Sequence, residues 1–207
     1  KDSGIGEARL EARSRQYLRA GYERLLGYQD ESGGFMYWRH GGPDIALTAY
    51  ALEFLEDAKE FLDTDEDRIA RAQSWLARQK PDQDSVDALQ FRILARVASS
   101  DAAALDRMLA EIARRAQLDD PYPVAVFALA AIDAGKLDAA RPAIERLREM
   151  ARDEQGAAFW ALRANTPFHG WGRAGQAEAT ALAVSALARW RRAGRAALCS
   201  EPRSKRG

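Results

Sequence analysis

Few residues in this chain of 207 have the types and spacing that chemistry requires. Asp63-Thr64-Asp65-Glu66-Asp67 comes first, because its alternating acids match the start of a calcium loop. Such a loop needs Gly at its sixth position and Glu at its twelfth. Arg68 and Ser74 stand there, so the calcium reading fails. The acids are instead a helix start, with Thr64 as N-cap and carboxylates in the first turn offsetting the helix dipole. His40 and His169 are the only histidines, and each is followed by Gly. No acid or cysteine accompanies both at ligand spacing, so both are expected to be hydrogen-bonded loop residues. Cys199 is the single cysteine, which excludes an internal disulfide and a cysteine-rich zinc site. A glycine-rich phosphate loop, a serine nucleophile elbow and a paired-carboxylate signature are all missing. The expectation is therefore no catalytic residue, no metal and no cofactor.

What remains is aromatic. Gly27–Pro43 packs Phe35, Tyr37 and Trp38 into a glycine-rich loop, with a tight turn at Gly33-Gly34 and a short extended piece after it. Arg152–Gly175 repeats the theme with Phe159, Trp160, Phe168, His169 and Trp171. Phe35, Tyr37, Trp38, His169 and Trp171 form the candidate cluster. Phe35, Tyr37, Trp38 and Trp171 are expected to close one end of a core and so to matter for stability. The alternative is a binding surface.

Helices must position these loops. Ala occurs 42 times, whereas Val, Ile and Thr together occur 16 times. Ala favours helix and β-branched residues favour strand, so the chain should be all-α. Periodicity marks helices near 5–26, 44–62, 65–79, 84–99, 102–117, 121–134, 137–151 and 176–192. Asp120 before Pro121 is a cap with Pro at N1, and Gly135 sits where a C-terminal glycine belongs. Two kinds of helix alternate. The helix at 102–117 has one apolar stripe (Leu105, Met108, Leu109, Ile112), as do 137–151 (Ala140, Ile144, Leu147) and 65–79 (Ile69, Ala72, Leu76, with Trp75 on the flank). These are outer helices with one buried face. By contrast, Val124–Ile132 has no polar face, Ala179–Ala188 is apolar nearly all round, and 44–62 has two apolar faces that include Leu52, Leu55 and Phe61. These, with the helix at 84–99, are inner helices. The first two steps between them are about 40 residues, a helical-hairpin period. The alternation suggests an α/α toroid of inner and outer helices, as an incomplete ring over 1–192; an irregular helical bundle or an open solenoid is the alternative. Residues 193–207 are expected to be a basic, disordered tail.

Charge restricts the partners. Thirty-one basic and 31 acidic residues give a net charge of zero, which argues against nucleic acid. No apolar run reaches the roughly 20 residues of a membrane span. The chain opens without Met or an apolar leader and reads as a mature or excised piece.

Tyr22-Glu-Arg-Leu-Leu-Gly-Tyr-Gln29, then Gly33-Gly-Phe-Met-Tyr-Trp38, then Leu47-Thr-Ala-Tyr50 resembles the thioester domain of α2-macroglobulins, particularly bacterial ones. Trp75-Leu76 with Gln79, and Glu178 with Thr180-Ala181, are similar to later helices of that family. The resemblance implies an α/α toroid within a periplasmic or secreted protease-trapping protein. Its partners would be target proteases and other domains of the parent chain, and it would not be an enzyme. In that family a Cys and a Gln of Cys-(Gly or Leu)-Glu-Gln form an internal thioester. That motif is absent here and would precede Lys1, and Cys199 lacks the Glu-Gln that should follow it. The resemblance therefore carries over no reactive residue. Terpene cyclases and prenyltransferase β-subunits share the toroid and its Gln and glycine-aromatic punctuation. Class II terpene cyclases also carry an aspartate-rich motif, but theirs works from an apolar cavity and the acids at 63–67 open a polar helix. Prenyltransferases need a zinc site, which one tail cysteine cannot supply. A non-reactive interaction scaffold is the third reading.

Overall fold

In a computed structural model, residues 3–38, 40–97, 110 and 119–200 are described, with side chains from 9 to 195 except at 97. The described residues are mostly helical: α1 (Ser3–Leu26), α2 (Ile45–Ala58), α3 (Glu66–Arg78), α4 (Asp84–Val97), α5 (Pro121–Asp133), α6 (Leu137–Met150) and α7 (Gly172–Ser200). Between α6 and α7 lie two short strands, β1 (Arg152–Glu154) and β2 (Ala157–Phe159). Two compact units result, Lys1–Lys80 and Pro81–Gly207.

In the first unit α2 packs against α1 and α3. Asp44 caps α2 by accepting the Leu47 N–H at 2.8 Å. Leu52 and Leu55 are buried as expected. Phe61 is not: α2 stops at Ala58, and Phe61, in the turn beyond it, is 54% exposed. The cap of α3 is Asp65, whose Oδ1 accepts from Arg68 N–H, while the expected cap Thr64 donates its hydroxyl to Glu66. The aspartate is a charged acceptor at the positive helix end, which favours it over the hydroxyl one residue earlier. Trp75 lies buried rather than flanking, beside Ile69, Ala72 and Leu76.

In the second unit α5 is the centre, touching α4, α6 and α7. Its caps are as expected. Asp120 accepts from Tyr122 N–H, and Gly135 takes φ +71° in the left-handed region that glycine tolerates. Every residue from Pro121 to Ala131 is buried, as a helix with no polar face requires. The expected outer helix at 102–117 lies outside the described residues apart from position 110, so the inner–outer contrast rests on α6. That helix buries Ala140, Ala143, Ile144 and Leu147, packs Ala139 and Met150 partly against the same core, and exposes Asp138, Arg141, Glu145, Arg148 and Glu149.

The helix α7 departs from the sequence reading twice. It starts at Gly172 and runs to Ser200, past the expected ends. It is also one-sided: Ala179, Ala183 and Ala186 are buried, whereas Ala181, Val184 and Ala188 are exposed. Apolarity all round is thus not burial all round here. Alanine carries too little apolar surface to force it.

Candidate functional site

The first aromatic loop is built backwards from α2. The Thr48 hydroxyl, one turn into the helix, donates to Asp44 O at 2.7 Å and accepts the Phe35 N–H at 2.8 Å. Asp44 N–H in turn bonds Phe35 O at 2.9 Å. Phe35 is therefore held by its backbone on both sides, and its ring is fully buried. Upstream, Gln29 and Phe35 form an isolated antiparallel bridge. The Gln29 amide nitrogen donates to Gly33 O at 3.0 Å and to Arg68 O at 2.8 Å, tying the turn to α3. The glycines permit this approach. A Cβ on Gly33, at φ +104°, would lie 2.5 Å from Arg71 O. One on Gly34 would lie 2.7 Å from the Trp75 ring.

Beyond Phe35 the chain turns outward. Tyr37 is 48% and Trp38 is 72% exposed. Their expected role as core plugs is overturned. Phe35 already fills the space over α2, and the chain bends at Tyr37 and Trp38, which leaves both rings in solvent. The Tyr37 hydroxyl has its pKa raised, first by partial burial and then by the nearby Asp44 charge. His40 is exposed beside Gly41 and Gly42.

The second aromatic loop uses the same latch with different parts. Trp160 N–H donates to the Thr180 hydroxyl at 3.2 Å, and its indole N–H donates to Leu147 O at 2.7 Å. Trp160 is 3% exposed and belongs to the core of α5, α6 and α7. The hairpin before it pairs Arg152 with Phe159 and turns at Gln155-Gly156. Both turn residues have positive φ, as a type I′ turn needs. After Trp160, the Asp120 Oδ2 accepts from Arg163 N–H at 2.7 Å and Ala164 N–H at 2.9 Å. Buried Thr166 then closes a turn by accepting Gly170 N–H at 3.0 Å. His169, in the left-handed region at φ 58°, is exposed. Trp171 is 66% exposed, so its expected role as a core plug is overturned as well.

Of the candidate cluster, Phe35, Tyr37 and Trp38 thus belong to the first unit, and His169 and Trp171 to the second. Sequence reasoning chose the wrong tryptophans. The signal for the right one was the hydroxyl partner: Thr180 in Glu-Ala-Thr-Ala mirrors Thr48 in Ala-Leu-Thr-Ala. Among the described residues no cluster of three or more His, Cys, Asp or Glu side chains could hold a metal ion.

Helical pairs opened by glycine-aromatic loops latched to threonines define the class, an all-α protein of the α/α-toroid type. Within it, the first part of the chain is similar to the thioester domains of α2-macroglobulins. Residues 5–90 match the A-macroglobulin TED domain. Over 76 residues the chain is 29% identical to Thioester-containing protein 1 (allele S3) of Anopheles gambiae, covering 36% of this chain and 6% of that protein. The structure of native α2-macroglobulin from Escherichia coli, from domain MG7 to the C-terminus, superposes with a TM-score of 0.53 at 27% identity. That match covers 66% of this chain and 24% of the Escherichia coli chain. Salmonella α2-macroglobulin reacted with methylamine is 22% identical with a TM-score of 0.49, over 87% of this chain and 14% of its own. The chain spans a small part of the length of the relatives it matches.

Proposed function

We propose that this chain serves as a thioester-type domain in an α2-macroglobulin-like protease inhibitor, without a thioester of its own and without enzymatic turnover. The observation that carries the reading is the use made of Gln29. Here the Gln29 amide nitrogen is spent on two backbone carbonyls, and the glycines on close packing against α3. This segment lies within the residues matched to the family. Thioester chemistry needs a cysteine and, three residues on, a glutamine side-chain carbonyl. Cys199 is followed by Ser200, Glu201 and Pro202, and proline has no such carbonyl. The partners are then a target protease and neighbouring domains, met in the periplasm or outside the cell.

The test uses the full-length gene product mixed with trypsin. Hydrolysis of casein should fall while hydrolysis of a small chromogenic peptide is retained, because a trapped protease still admits small substrates. Equal loss of both activities, or of neither, would contradict trapping. The exposed Tyr37, Trp38 and Trp171 favour contacts with other proteins as the mode of action. Trp38→Ala with Trp171→Ala should weaken the casein effect and leave the thermal midpoint in place.

A further inference from the structure

The chain's charge is zero only as a sum. From Arg189 to Arg206, seven residues are basic and one, Glu201, is acidic, so the rest of the chain carries an excess of acid. The structure turns the first half of this segment into a shaped surface, because α7 continues as a helix to Ser200. Arg189 is used internally: it pairs with Asp133 at 2.6 Å. Trp190 is half-buried beneath the Arg141 guanidinium, whose carbon lies 5.6 Å from the ring centroid. These contacts fix the helix at that level. Directly beyond, Arg191, Arg192 and Arg195 are all exposed and make no ion pair among the described residues. Spacings of three and four bring them to one side of the helix.

We propose that the face of α7 bearing Arg191, Arg192 and Arg195 docks an acidic polypeptide surface. Guanidinium groups bind carboxylates in a bidentate fork, and three on one helical face fit a row of Asp or Glu side chains. A membrane surface is the weaker fit. A helix lying on lipid needs an apolar stripe with bulky residues beside its cations, whereas the described exposed residues from 191 to 195 are arginines and glycine. The inference goes beyond the protease-inhibitor reading and does not depend on it.

The experiment measures retention of the full chain on immobilised poly-L-glutamate at low salt and neutral pH. With no net charge, the protein can be held only by a local patch. Wild type should be retained and should elute as salt rises. Arg191→Gln with Arg192→Gln and Arg195→Gln should bind at least about tenfold more weakly, with an unchanged helical circular dichroism spectrum. A matched triple variant on α1 (Arg9→Gln, Arg19→Gln, Arg24→Gln) loses the same charge and should bind like wild type. Failure of wild type to bind, or equal loss in both triple variants, would overturn the proposal. Tighter binding to phosphatidylcholine–phosphatidylglycerol vesicles or to duplex DNA than to poly-L-glutamate would also overturn it, in favour of that partner.

Discussion

The two aromatic loops solve one problem with different materials. Each must bring the chain into a long helix and seal the space beside it with one large ring. Each does so by giving the ring's backbone N–H to a threonine hydroxyl in the helix that follows, Phe35 to Thr48 and Trp160 to Thr180. The first loop then fixes its turn with a neutral side chain, the Gln29 amide, donated to carbonyls. The second fixes its far side with a carboxylate, Asp120, which accepts from backbone N–H groups on two segments at once. Each loop also ends with a tryptophan in solvent, Trp38 or Trp171. The recurring part is therefore the latch, and the aromatic that matters is the one attached to it.

The sharpest way to break this comparison is to truncate the rings. Phe35→Ala and Trp160→Ala should each cost about 3–5 kcal/mol in chemical denaturation, as buried aromatics do. Trp38→Ala and Trp171→Ala should stay within about 0.5 kcal/mol of wild type, as exposed substitutions do. If all four cost alike, the latch does not decide which ring is structural.

Removing the turn fixers should have smaller and unequal effects. Asp120→Ala takes a charged acceptor from three N–H donors on two segments, at a cost of about 2–3 kcal/mol. Gln29→Ala removes two bonds to carbonyls, one of which (Arg68 O) lies within α3 and keeps its helical partner, at about 1–2 kcal/mol. The reverse order would mean that the first turn is the more rigid of the two.

The latches themselves should differ least in kind and most in burial. Thr48 is fully buried, so Thr48→Val leaves the Phe35 N–H without a partner and should cost about 1–3 kcal/mol. Thr180 is only half-buried and its bond is longer, so water can replace the hydroxyl and Thr180→Val should cost under about 1 kcal/mol. Amide exchange at Phe35 and Trp160 would report each latch separately.

Much of the fold could be read from pattern. The uninterrupted apolar run Val124–Ile132 announced the buried α5, Pro121 after Asp120 announced its start, and Gly135 its end. Resemblance at Gly33-Gly34-Phe35 pointed to the domain that residues 5–90 match. Three things were not legible. Large aromatics in a glycine-rich loop do not reveal which one turns inward, because that depends on a hydrogen-bond partner 13 or 20 residues away. Alanine runs do not reveal which side of a helix is covered, as Val184, exposed on α7, shows. The hairpin at Arg152–Phe159 was missed because its strands are short and mostly exposed, so no alternation of apolar residues marks them.

The central proposal is that this chain, similar to a thioester domain over residues 5–90, works without covalent chemistry of its own. Intact-mass measurement tests it most directly. The chain is incubated with labelled methylamine and, separately, with trypsin under conditions that leave most of it uncleaved. The account predicts a single species at the mass of the unmodified chain in both. A stoichiometric gain of methylamine, or a covalent complex with the protease, would contradict it.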